Sequence, residues 1–163
     1  MSNTSTREII AAAARNGLVV PAFNIPYLQM MEPVVEALRE TRAFGLIQVA
    51  RLEWMKFKAG SLKAIRDTYE ACKDERFTRL HLDHVPVIDE DHQSVDVAAI
   101  IEEAIALGYE SVMVDGSRLP LEGNIAATAE VVRLARRAGI PVEAELGAVL
   151  GHEAGPLPPY EEL

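Results

Sequence analysis

The chain has 163 residues, 49% of them hydrophobic and 25% charged, the composition of a soluble globular domain long enough to bury a core. A formal charge of −9 argues against general nucleic-acid binding, which needs a basic surface to neutralise phosphates, and no apolar run reaches the ~20 residues of a membrane helix. Cys72 is the only cysteine, so no internal disulfide can form, and the first twenty residues carry no signal-peptide pattern; both agree with a cytoplasmic location.

Ser5-Thr6-Arg7-Glu8 has the spacing of a capping box and opens a predicted helix that runs to Gly17, a suitable residue just past a helix end. Residues 18–24 read as a strand ending in Asn24, and Met30 to Arg42 as a helix with Val34, Val35 and Leu38 on one stripe. A second strand, 45–50, carries the polar Gln48 between Ile47 and Val49. A helix over 61–73 repeats the apolar stripe with Leu62, Ile65 and Tyr69. The third strand, 78–83, alternates so that Leu80 and Leu82 share one face while His81 and Asp83 share the other. His84 follows just past its end. A helix from Val95 to Leu107, closed by Gly108, leads to a strand over 110–115, which ends in Asp115-Gly116-Ser117. Asn124 to Ala138 is a helix with Arg133, Arg136 and Arg137 near its C-terminal end, where cations suit the dipole. The fifth strand, 141–146, puts Glu143 and Glu145 on one face.

Strands starting near 18, 45, 78, 110 and 141 recur at about 30 residues, the length of one strand plus crossover helix. Alternating βα units imply parallel strands with right-handed crossovers. Spacing alone leaves a doubly wound sheet and a barrel both open. The polar groups at successive strand ends favour the barrel, where Asn24, Asp83, His84, Asp115 and Glu145 would converge on one face. The first strand turn also lacks the glycine-rich fingerprint of a dinucleotide fold. The expected class is therefore α/β, a (β/α)8 TIM barrel of which about the first five βα units are present. Residues 1–163 read as one domain, the N-terminal part of such a barrel, with 150–163 as a mobile loop or tail. An imidazole and a carboxylate brought side by side inside a fold need partners to offset their desolvation, which points to a metal or proton-transfer site around His81, Asp83 and His84.

Five stretches, in order, carry a family resemblance: Pro21-Ala22-Phe23-Asn24, Leu80-His81-Leu82-Asp83-His84, Ser111-Val112-Met113-Val114-Asp115-Gly116-Ser117, Leu121-Glu122-Gly123-Asn124-Ile125 and Val142-Glu143-Ala144-Glu145-Leu146-Gly147. Together they resemble the class II fructose-bisphosphate and tagatose-bisphosphate aldolases. The resemblance implies a zinc-dependent lyase that reversibly cleaves a ketose bisphosphate to dihydroxyacetone phosphate and an aldehyde, working as a cytoplasmic homo-oligomer, dimer or tetramer. It gives Asp83 the role of the acid at the aldehyde oxygen and His84 that of a zinc ligand. Asp115 and Glu145 match carboxylates of a second or alternative metal position, and Asn24 a residue bonding near the reacting centre. Glu153 aligns with a mobile-loop glutamate that removes a proton from dihydroxyacetone phosphate.

The departures from the family are local. Its other two zinc histidines and its glycine-rich phosphate loops belong to later strands. Ala50 stands where relatives often have serine, and the run from Val85 to His92 replaces a shorter glycine-serine turn. His81 is expected as a hydrogen-bonded interior histidine, and His92 and His152 as loop residues. The competing expectation is a non-catalytic, aldolase-like accessory subunit or an incomplete barrel fragment.

Overall fold

Ser5 caps helix α1 (Thr6–Arg15) in the computed structural model, which describes residues 4–147. The Glu8 N–H donates to Ser5 Oγ, and the Ser5 N–H donates to Glu8 Oε2 at 2.9 Å, so each side chain satisfies the other residue's orphan amide. At the other end Gly17 takes φ 64° and the Leu18 N–H donates to Ala13 O at 2.9 Å, closing the last turn. That closure corrects the expectation of a strand from residue 18. Leu18 and Val19 are committed to leaving the helix and stay 66% and 90% exposed, and β1 is only Ala22–Asn24.

The remaining elements follow in the predicted alternation: α2 (Met31–Thr41), β2 (Gly45–Ala50), a short α3 (Arg51–Met55), α4 (Leu62–Cys72), β3 (Thr78–Pro86), α5 (Val97–Ala106), β4 (Ser111–Asp115), α6 (Leu121–Ala138) and β5 (Val142–Ala144). Ser61 and Asp96 cap α4 and α5 by accepting from the amides of Ala64 and Ala99. The short α3 has no counterpart in the sequence reading.

All neighbouring strands are parallel and the sheet order is β1-β2-β3-β4-β5, with each crossover moving one strand in the same direction. A doubly wound sheet reverses direction at a switch point; the steady progression seen here is that of a barrel wall. Helices cover the outer face, where Val35, Leu38, Ile65, Tyr69, Ile101 and Val131 meet Ile47, Val49, Leu80, Leu82, Val112 and Val114 in one apolar cluster. The inner face carries the polar side chains. At the amino end of the sheet, buried Arg79 donates to the carbonyls of Thr4, Glu75 and Thr78 and pairs with Glu110, tying the start of α1 to the sheet.

One irregularity decides the site. Leu82 pairs with Val112 and Val85 with Val114, so two residues of β3, Asp83 and His84, oppose the single residue between them on β4. This is a β-bulge, and His84 takes φ 35° within it. The strand thus continues to Pro86 instead of ending at Asp83 as the sequence implied, because the extra residue lets the chain turn His84 inward without leaving the ladder.

Two outcomes follow from the packing. Ile47→Ala, at a fully buried position, should lower unfolding free energy by about 2–5 kcal/mol, while Ile125→Ala on the exposed side of α6 should stay within about 0.5 kcal/mol; denaturant titration separates them. Burial pushes the His81 imidazole down from 6.5 to about 4, with Asp83 partly opposing it. A lowered histidine stabilises the fold fully above its unfolded value, and that contribution is lost as the pH falls from about 6.5 toward 4. The stability of the chain should therefore drop across this window, and less steeply in His81→Gln, when denaturation midpoints are compared at each pH.

Candidate metal and proton-transfer site

Asn24, Asp83, His84, Asp115 and Glu145 all lie toward the carboxyl end of the sheet, Asn24, Asp115 and Glu145 at or just past the ends of β1, β4 and β5, and Asp83 and His84 in the bulge of β3. Two groups form. In the first, Asp83 Oδ2 accepts from Asn24 Nδ2 at 2.9 Å and Gln48 Nε2 at 3.0 Å, while Gln48 Nε2 also donates to Asn24 Oδ1 at 2.8 Å. Glu53, buried on α3, accepts from the Ala50 N–H at 2.6 Å and from Asn24 Nδ2 at 3.4 Å. Three successive strands and one short helix thereby fix the Asp83 carboxyl. Neither Gln48 nor Glu53 was singled out as functional from sequence. A polar side chain inside an otherwise apolar strand was the available signal for Gln48; Glu53 gave none.

In the second group, His84 Nδ1 lies 3.6 Å from Asp115 Oδ2 and 3.7 Å from Glu145 Oε2, all three side chains being partly buried. One donor atom from each residue falls within 4.8 Å of the others. A tetrahedral zinc with bonds of ~2.1 Å holds its ligand atoms ~3.4 Å apart, so these separations need only a small contraction around an ion. The donor set, one imidazole and two carboxylates, suits a divalent metal. Burial pushes the Asp115 carboxyl up, but the hydrogen bonds from His84 and Ser117 outweigh it and hold it at about 2. It is ionised at neutral pH, as a ligand must be.

The backbone around this group is itself pinned. The Ser117 N–H donates to Asp115 Oδ1 at 2.8 Å, and Asn124, near the start of α6, donates to the Glu145 carbonyl at 2.8 Å. Asn124 packs against Gly116 so closely that a Cβ on the glycine would sit 2.5 Å from Asn124 Cγ, which explains the glycine in the Asp-Gly-Ser turn.

His81 is an interior residue as expected, its Nδ1 2.8 Å from Ser111 Oγ. His92 lies in the loop between β3 and α5 at φ 59°. Glu153, His152 and the tail from residue 150 lie outside the described residues. Beside the metal group a cavity of ≈ 490 Å³ opens over the ends of β2, β3 and β4, with His84 and Asp115 on one side and Leu52, Phe57 and Ile88 among its apolar lining. Its rim is tied by ion pairs, Arg51 to Asp89 at 3.6 Å and Lys56 to Glu90 at 2.6 Å, which join the α3 segment to the loop after β3.

No helix among the described residues is long and apolar enough to cross a membrane. Comparison with known proteins gives a consistent picture. The family model for class-II fructose-bisphosphate aldolase matches residues 4–160. A fructose-bisphosphate aldolase of Streptococcus pyogenes serotype M3 is 34% identical over 158 residues, covering 95% of this chain and 50% of that protein. Among solved structures, a candidate fructose-1,6-bisphosphate aldolase of Coccidioides immitis aligns at TM-score 0.69 with 24% identity, over 92% of this chain and 48% of that one. The YdjI aldolase of Escherichia coli K12 aligns at TM-score 0.66 with 25% identity, over 84% and 49%. The chain spans about half the length of the curated relatives it matches. With a family match across nearly its whole length, and strands that wind in barrel order, the chain belongs to the class II fructose-bisphosphate aldolases.

Proposed function

We propose that this chain contributes the acid and part of the metal site of a metal-dependent aldolase, which reversibly cleaves a phosphorylated ketose to dihydroxyacetone phosphate and an aldehyde. We read residues 1–163 as a single domain, the first five βα units of the barrel, acting in the cytoplasm within a homo-oligomer. The observation that carries the reading is the pairing of an anchored carboxyl, Asp83, with the adjoining donor group of His84, Asp115 and Glu145.

The geometry suits the chemistry. Oδ2 of Asp83 already takes two donors, so Oδ1 is the oxygen that would carry a proton to the aldehyde oxygen and take it back in cleavage. Asn24 and Gln48 hold the carboxyl in one orientation, which limits the reorganisation needed when a proton moves. A divalent ion held by His84, Asp115 and Glu145, zinc in this reading, would act as the Lewis acid for charge that builds on the donor fragment as the carbon–carbon bond breaks. Glu153 is assigned the removal of the proton from dihydroxyacetone phosphate. The cavity next to His84 would receive the rest of the ketose.

Two measurements test this reading. The 163-residue chain should bind zinc weakly if at all, because a single imidazole with two carboxylates selects zinc poorly; tight stoichiometric zinc by elemental analysis and titration would mean that the site is built differently. In a complete protein carrying this segment, Asp83→Ala should keep the metal and lower turnover by about 10²–10⁴-fold, as for loss of a general acid. His84→Ala should instead lose both metal and activity. Wild-type turnover with full metal in Asp83→Ala would remove the acid assignment.

A further inference from the structure

One layer beneath the metal group lies a second cross-strand contact that the chemistry above does not use. His81 on β3 is 1% exposed, and its Nδ1 sits 2.8 Å from Ser111 Oγ on β4. Its Nε2 is fully buried and, among the described residues, has no hydrogen-bond partner at regular distance; Glu143 Oε2, on β5, lies 3.6 Å away. A buried polar atom left unpaired is destabilising, so a small movement that closes this gap is favourable.

The tautomer follows from the partners. An unprotonated Nε2 would set a lone pair against a carboxylate oxygen. With the Ser111 hydroxyl donating to Nδ1, the proton sits on Nε2 and points at Glu143. Burial keeps the ring neutral, as its lowered value of about 4 indicates. Glu143 itself has a side chain 60% exposed, and a carboxylate that open to solvent keeps one rotamer only if a donor holds it.

The placement gives this contact its role. His81 and Glu143 reach one another over the intervening β4, as His84 and Glu145 do one layer above. Glu143 and Glu145 are two residues apart on one face of the chain. His81 and His84 are brought to one face by the bulge at Asp83–His84.

We propose that Ser111, His81 and Glu143 form a clamp across three strands that holds the end of β5 over β3 and so sets the separation of His84 from Glu145. His81 is in these terms a positioning residue for the metal site. The inference rests on the metal reading above, and partners beyond the ligands typically tune metal affinity by about 10–100-fold.

The test uses cobalt(II) as the probe, titrated into the 163-residue chain and followed by its visible absorbance, with His84→Ala as the control that removes the site. His81→Phe, which keeps volume but lacks the ring N–H, should weaken cobalt binding about tenfold or more. His81→Gln, which carries an N–H near the Nε2 position, should recover most of that loss. In a Glu143→Ala background His81→Phe should cost nothing further, since the two act as one unit. Imidazole ¹⁵N shifts of the wild-type chain should report the Nε2–H tautomer. An Nδ1–H tautomer, or equal cobalt affinity in folded His81→Phe and wild type, overturns the clamp and leaves the metal site standing. Absence in the wild type of cobalt binding that His84→Ala abolishes would overturn a site preformed in this segment, and the clamp with it.

Discussion

The bulge at Asp83–His84 is the constraint on which the site depends. In a regular strand, neighbours point to opposite faces, so the consecutive side chains of Asp83 and His84 could not both face the barrel interior. One extra residue on β3, absorbed against a single residue of β4, removes that prohibition. The left-handed backbone at His84 is the local expense, tolerated because the ladder is regular up to Leu82 and resumes at Val85 and Pro86. The apolar alternation of Leu80 and Leu82 is undisturbed, so the outer core and the inner site are specified by the same strand without conflict.

Much of this was legible in the chain. Leu80 and Leu82 against His81 and Asp83 announced a strand with one apolar and one polar face, and the polar groups at the ends of successive strands favoured the barrel over a doubly wound sheet. The five site residues named from sequence, apart from Glu153, lie at one end of the sheet. The bulge itself left no mark, because its signature is a pairing count and not a residue type, and Pro86 reads as a strand breaker. The support of Asp83 was equally hidden: Gln48 and Asn24 are 35 and 59 residues away, and only the parallel register of β1, β2 and β3 brings them together. The first strand was overextended because Leu18 and Val19 look like strand residues, whereas a local hydrogen bond to Ala13 claims that segment for the helix terminus.

The two ends of the sheet divide the work. At the amino end, Arg79 is buried among carbonyls and Glu110, a polar cluster satisfied by the chain's own backbone. At the carboxyl end, His84 and Asp115 face a cavity whose rim is closed by charges of opposite sign on α3 and the loop after β3. Polar burial at the first end ties the chain's own backbone together, and at the second it brings side chains from several strands to one face.

The contact between Gly116 and Asn124 carries a consequence for sequence variation. Because a methyl group at 116 would collide with the Asn124 side chain, any substitution there must displace the amide that holds the Glu145 carbonyl. In a saturation-mutagenesis map, Gly116 would then score like a ligand position although it offers no donor atom. A second-site change to a smaller residue at 124 would relieve the collision but leave the carbonyl without its anchor. The pair is therefore a joint inheritance: neither residue can drift alone without the far strand, β5, registering the change.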